Sequence, residues 1–385
     1  MTSTSALFPG PAGSLGKPSR ETLEAAIARI EGCGVEILTI GPVAEDRGET
    51  ESKHIGYGQP VLIRYRARDA ERRVVFRTMA PNWFGHDRHS DRATLALLAA
   101  DTYDELPQHI RVLDVGALGG RGQLVSLKDT GEFYLLSSYA EGKLYAQDLR
   151  AVERTGVATD TDVARARVLA AYLVDLHGAP FYGSPEQYHR AIRDLVGSGE
   201  GIFGITDNYP DGGVVPLERL EAIEQRCVAW RWRLRRRASR LRKVHGDFHP
   251  YNVLFRSGTD FTLLDGSRGC VGDPADDVAA MTINYLFGGV VHPRAWSGGL
   301  KPLWDTFWST YLAARGDSEV LEVIAPFFAW RALVVASPVW YPDVPAVSRD
   351  ALLTFAERAL DAPAFDPADA DRIIGLIRQA PAAAA

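Results

Sequence analysis

The chain changes its periodicity once, near Tyr139, and that switch limits the folds open to it more than any other feature. Before it, residues 35–40, 60–66 and 73–77 are short β-branched or alternating runs bounded by turn residues, the pattern of an antiparallel sheet. Further strands are expected at 111–115, 122–127 and 133–139. Two helical stretches interrupt them, 20–32 and 90–100, the second with Ser90 as its cap. After Ala140-Glu141-Gly142, helical spacing takes over at 161–177, within 216–242, and at 302–314, 320–337 and 349–360, with a loop-rich stretch over 178–213.

At 385 residues the chain exceeds the ~250–300 at which one hydrophobic core stops growing, so two lobes are expected. The pattern predicts an α+β, bilobal fold: an N-terminal antiparallel sheet lobe with one helix, and a mainly helical C-terminal lobe. The boundaries read as a flexible leader over 1–19, an N-terminal lobe over 20–140, a helical lobe over 141–361, and a tail over 362–385.

Charge and composition exclude several classes of function. No apolar run approaches the ~18 residues needed to span a bilayer, and the Ser/Gly/Pro-rich start lacks the layout of a secretory signal. Cys33, Cys227 and Cys270 are too scattered for a disulfide framework or a structural zinc site, which fits a reducing, cytoplasmic setting without membrane partners. A net charge of −6 argues against nucleic acid as a partner. One stretch dissents: RWRLRRRASRLRK over 231–243 is densely basic, and reads as the solvated face of a helix with Trp230, Trp232, Leu234 and Leu241 as its apolar contacts.

Glycines invite other readings. Gly56 and Gly58, between the first two strands, sit where a backbone without side chains can approach a ligand, although an ordinary hairpin accounts for them equally well. The run 116–122 is glycine-rich but precedes no helix, so it reads as a turn and not as a phosphate loop. Gly16-Lys17-Pro18 lacks the spacing and the Ser or Thr of a P-loop.

The segment 244–280, VHGDFHPYNVLFRSGTDFTLLDGSRGCVGDPADDVAA, carries the chemistry. Asp247 stands five positions before Asn252, and Asp265 follows a short apolar run. Strands over 253–255 and 262–264 would form a hairpin that brings Asn252 and Asp265 to the same end. Phosphoryl transfer needs this equipment: a carboxylate to orient and deprotonate a hydroxyl, and hard oxygen donors for Mg²⁺ on the phosphates. His245 and His249 have the spacing of a zinc pair, but Gly246 and Pro250 oppose the helix that would put both rings on one face.

HGDFHPYN followed by LLDGSRGCVGDPADDVA resembles the signature of the aminoglycoside phosphotransferase and choline kinase superfamily, relatives of the protein kinases. The resemblance implies that Asp247 is the catalytic base, that Asn252 and Asp265 bind Mg²⁺, that His245 supports the catalytic loop, and that Asp273 and Asp277 brace it and cap the next helix. It implies a protein-kinase-like fold, with 20–140 as the nucleotide-binding lobe and 141–361 carrying the catalytic loop and the acceptor site, and a hinge at Ser138-Tyr139-Ala140 that holds the base of ATP or GTP through backbone groups. Arg77 stands where the family has a phosphate-contacting lysine, Asp91 is the nearest acid where a helix glutamate is usual, and Gly266-Ser267 replaces an aromatic residue. The expected activity is that of an alcohol-group phosphotransferase acting on a small hydroxylated acceptor, with antibiotic modification set ahead of a metabolic sugar or amino-alcohol; the competing reading is a pseudokinase or nucleotide-binding scaffold. For a polycationic acceptor, Asp207, Asp211, Asp276, Asp277 and Asp305 are candidates, and Trp296, Trp304, Trp308, Trp330, Trp340 and Tyr341 are candidates for stacking, with core packing the commoner fate of Trp304 and Trp308.

Overall fold

A computed structural model describes residues 18–43, 60–105, 107–133, 135–266 and 269–379. The chain divides into two compact units, Met1–Ser137 and Ser138–Ala385.

In the first unit, helix α1 (Arg20–Glu31) is capped by Ser19, whose hydroxyl accepts from the Thr22 amide at 3.1 Å, and ends at Gly32 with φ 66°. Strands β1 (Val35–Pro42), β2 (Val61–Ala67) and β3 (Ala70–Phe76) pair antiparallel in that order. Arg68 and Asp69, both at positive φ, form the two-residue turn whose twist matches a tight hairpin. Alternate residues of β2, Val61, Ile63, Tyr65 and Ala67, face Leu23, Ile27 and Ile37 in a small core. Helix α2 (His89–Thr102) starts one residue before the expected Ser90. The strands expected at 111–115 and 122–127 are found instead as the hairpin β4 (Gly116–Leu118) and β5 (Leu124–Ser126), closed by the turn in which the Gly119 amide donates to the Gln123 carbonyl at 2.8 Å. The glycine run is thus a hairpin end.

The expected strand at 133–139 is not formed: the described residues there belong to no ladder, and Leu135, Leu136 and Tyr139 are about nine-tenths exposed. An apolar run without a partner strand has no site for its backbone bonds, and β-propensity alone cannot supply one.

The second unit is mostly helical. Strand β6 (Lys143–Leu144) leads into α3 (Tyr145–Thr155), α4 (Asp160–Gly178), α5 (Pro185–Gly197), α6 (Ile202–Asp207) and α7 (Leu217–Leu234). The region read as loop-rich therefore holds α5 and α6. Proline opens α5 without breaking it, because the first helical position has no use for an amide. Short strands β7 (Arg242–Lys243), β8 (Val253–Phe255), β9 (Phe261–Leu263) and β10 (Val271–Gly272) frame the catalytic segment, in two ladders, β7 with β10 and β6-β8-β9. Then come α8 (Ala275–Val291), α9 (Lys301–Arg315), α10 (Val320–Val323), α11 (Ala325–Ala336), α12 (Ala346–Asp361) and α13 (Asp369–Gln379). The single helix expected over 320–337 is two pieces, with Pro326 at the head of the second. The stretch read as a tail beyond 361 contains α13, which buries Ile373 and Ile374 in the common core.

Trp296, Trp304, Trp308 and Trp330 are buried in that core, so none of them is a stacking platform, while Trp340 is 62% exposed. Of the basic stretch, Trp230, Leu234 and Leu241 are buried, but Trp232 faces solvent, contrary to expectation. No helix among the described residues is long and apolar enough to cross a membrane.

Candidate active site

The segment 244–280 is tied into the helical unit by buried polar bonds. Gly246, at φ 83°, takes the left-handed turn that a side chain would resist, and its amide donates to Asp277 Oδ1 at 2.9 Å. The neighbouring His245 amide donates to Asp277 Oδ2 at 2.7 Å. Asp277 is fully buried in the first turn of α8, where the helix N-terminus favours its charge. His177, at the end of α4, also reaches Asp277 Oδ2 at 3.1 Å through Nε2, and its Nδ1 lies 2.9 Å from the Tyr311 hydroxyl. Burial holds that hydroxyl well above the ordinary tyrosine range, so it stays a donor.

His245 itself bridges the two loops. Its Nε2 meets the Leu264 carbonyl at 2.9 Å, and its Nδ1 accepts from the Asp247 amide at 3.3 Å. Phe248, fully buried, stacks on Tyr172 with ring centroids 5.9 Å apart and anchors the loop from below.

These bonds present Asp247, 7% exposed. Its Oδ1 accepts from Arg331 Nη1 at 2.8 Å, and its Oδ2 lies 3.3 Å from both His249 Nε2 and Asn252 Nδ2. His249 Nδ1 accepts from the Tyr251 amide at 3.2 Å, which leaves Nε2 as the donor of a neutral ring. Both nitrogens of His245 and of His249 are engaged by groups of the protein, which does not leave the two imidazoles as a metal pair. No group of three or more His, Cys, Asp or Glu placed to hold a metal occurs among the described residues.

Asn252 donates from Nδ2 to the Asp247 carbonyl at 3.0 Å, which turns its amide oxygen the other way. The Leu264 amide donates to the Asn252 carbonyl at 2.9 Å, so the β8–β9 register, Val253 opposite Leu263, puts Leu264 opposite Asn252 and Asp265 one residue further along at the same end of the hairpin. Asp265 is exposed and holds φ 42°, a left-handed conformation. An amide oxygen and a carboxylate at one hairpin end suit a hard divalent cation, and the donor set fits magnesium.

Asp273 is a second buried anchor. Arg240 forks it at 3.0 Å through both Nε and Nη2, Tyr188 donates its hydroxyl at 2.8 Å, and Oδ1 caps the Ala275 amide at 3.0 Å. The brace and cap that the resemblance implied for Asp273 and Asp277 thus have bonds to match.

Arg77 is exposed, one residue beyond β3. Asp91 Oδ2 accepts the Arg88 amide at 2.9 Å and caps the start of α2. Ser138-Tyr139-Ala140 belongs to no strand and begins the second unit. Gly56 and Gly58 lie outside the described residues. Asp276 pairs with Arg331 at 3.0 Å, Asp305 with Lys301 at 2.9 Å, and Asp277 is buried, so these three acids are engaged within the unit.

Sequence reading missed Arg331 and His177. Each left a trace: a lone arginine in the otherwise apolar helix APFFAWRALVVA, and a histidine closing the apolar stripe of α4. A charge in such a run has to find a buried partner.

A model of the phosphotransferase enzyme family matches residues 63–305, more than half of the chain. No curated protein matches it. Among solved structures, a glucosamine kinase in complex with glucosamine, ADP and inorganic phosphate is 17% identical, with a TM-score of 0.38, over 56% of this chain and 58% of that one. The match therefore spans less than two thirds of that kinase. An amicoumacin kinase in complex with AMP-PNP, Ca²⁺ and Ami is 13% identical over 95% of this chain and 94% of that one, with a TM-score of 0.38. An ethanolamine kinase of Plasmodium vivax is 12% identical over 89% and 82%, with a TM-score of 0.31.

Proposed function

We infer that this chain, which belongs to the phosphotransferase enzyme family, moves the γ-phosphate of ATP or GTP to a hydroxyl of a small molecule, with Asp247 as general base. The observation that carries the reading is the Asp247–Asn252 contact: one loop holds a buried acid, and the amide that bonds to it belongs to the residue at the hairpin end from which Asp265 also extends. Asp247 takes the proton of the acceptor hydroxyl as that oxygen bonds to the γ-phosphorus, and the bond from phosphorus to the β-phosphate oxygen breaks to release the nucleoside diphosphate. Asn252 and Asp265 are the residues that would hold magnesium, which when bound offsets phosphate charge. His245 and Asp277 act by fixing the loop. Arg77, with Asp91 as the acid that positions it, and the backbone of 138–140 are the proposed nucleotide contacts carried over from the family resemblance; Gly56 and Gly58 are added because a backbone without side chains can approach a ligand.

With Asp276, Asp277 and Asp305 already engaged, a polycationic antibiotic has no special claim over a sugar or an amino-alcohol. The test is a mass-spectrometric acceptor screen with MgATP and MgGTP across aminoglycosides, macrolides, amino sugars and amino-alcohols. The expected result is a gain of one phosphoryl group on one class. Nucleotide-induced thermal stabilisation with no phosphorylated product, across the whole panel, would favour the scaffold reading instead.

A further inference from the structure

Arg331 sits in a helix where every other side chain is apolar, and it is 7% exposed. Burial pulls its pKa down, and the carboxylates of Asp276 and Asp247 more than reverse this, so it is a fixed cation. Nη1 meets Asp247 Oδ1 at 2.8 Å and Nη2 meets Asp276 Oδ1 at 3.0 Å, while Nε is buried and has no partner among the described residues. The guanidinium lies 4.0 Å from the centroid of the Trp330 ring, which limits its tilt.

For stability alone this is a poor use of a core position. A buried charge with one donor unmet costs free energy that an apolar residue of similar volume would not, and replacing buried ion groups by apolar ones is often neutral or stabilising. Its geometry matters more. Of the side-chain bonds described on the Asp247 carboxylate, the one from Arg331 is the shortest and carries a full charge, whereas His249 and Asn252 stand at 3.3 Å. The direction of the carboxylate is therefore set chiefly from α11.

We propose that Arg331 is a positioning residue for phosphoryl transfer: by bridging Asp247 to Asp276 it ties the base to the first turn of α8 and fixes which way the carboxylate faces. The inference rests on the reading of Asp247 as the base. Asp276 is the second anchor, and the acceptor hydroxyl meets a carboxylate whose rotation is already restricted.

The test uses the full chain and two variants, Arg331→Met and its combination with Asp276→Asn. Arg331→Met leaves buried Asp247 and half-buried Asp276 without the cation between them, so it is expected to lower both the thermal midpoint and turnover. The combined variant restores the net charge of these three side chains, and it separates the two roles. Its midpoint is expected to recover while turnover of MgATP, read as ADP release with the acceptor from the screen or with water, stays about 10²-fold down and MgATP affinity is unchanged. Recovery of turnover along with the midpoint would reduce Arg331 to a structural clamp and overturn the proposal. A crystal structure of the combined variant decides the point without any activity: the Asp247 carboxylate is expected to rotate away from Asn252, and a carboxylate still in contact with Asn252 and His249 also overturns it. A wild-type chain that transfers phosphate to nothing sinks the phosphotransfer reading alone, and the crystal structure still rules on the positioning. Should Arg331→Met fail to fold, Asp276→Ala by itself frees one arm of the bridge; a smaller loss of turnover at an unchanged midpoint is expected, and full turnover overturns the proposal.

Discussion

Two buried arginines in the helical unit face acids, and they do so in different ways. Arg240 spends Nε and Nη2 on the two oxygens of Asp273, turns Nη1 to Asp317 and Glu319, and is joined at Asp273 by the Tyr188 hydroxyl. Arg331 gives one nitrogen each to acids from two different elements, with Nε left over. A closed fork holds one geometry and stabilises the fold around it. A split fork aligns two groups with respect to each other, and one of those groups is the proposed base. The same chemistry thus supports structure in one place and orientation in the other.

The comparison can be broken or sharpened by substitution. The largest effect is expected at the end of the split fork: Asp247→Ala lowers turnover by about 10²–10⁴-fold while nucleotide binding, read by calorimetry, persists. Undiminished turnover would remove the functional half of the contrast. At the closed fork, Arg240→Met leaves Asp273 and Asp317 uncompensated and should cost ~3–5 kcal/mol of unfolding free energy, measured by denaturant titration, with turnover of the folded fraction retained. A large loss of turnover there would erase the distinction between the two centres. His177→Leu strips Asp277 of one donor and the Tyr311 hydroxyl of its acceptor, for an expected loss of about 1–3 kcal/mol in the same titration. Asp265→Asn should raise the magnesium concentration for half-maximal turnover about tenfold, ~1.4 kcal/mol, with little change in the thermal midpoint, since the side chain is exposed.

Much of this was legible in the residues, for physical reasons that differ by region. Strands β1 to β3 alternate cleanly because one face of a small sheet packs on a small core, and α4, α9 and α12 carry apolar stripes. The catalytic segment is compact in sequence, so Asp247, Asn252, Asp265 and Asp277 could be named together, and the structure brings the first two into direct contact. Helix α5 escaped notice although Tyr188, Ile192, Leu195 and Val196 have helical spacing, because Pro185 and nearby glycines read as loop punctuation. The strand expected at 133–139 had propensity but no partner. Arg331 lies 84 positions from Asp247. A pairing at that range is set by how helices pack, and no local pattern announces it. Of the nucleotide-binding residues proposed in the first unit, Arg77 and Asp91 rest on the family resemblance alone.

The backbone at Asp265 has a practical bearing on anyone who would redesign this loop. With φ at 42°, the residue occupies a basin that aspartate, asparagine and glycine enter readily and that branched side chains resist, at a cost of roughly 1–2 kcal/mol. A saturation library at that codon would therefore sort its members by torsional tolerance before cation affinity had any say, and survivors enriched for small amides would report on shape. Asparagine is the one replacement that removes the negative charge, keeps an oxygen in place and leaves the chain path undisturbed.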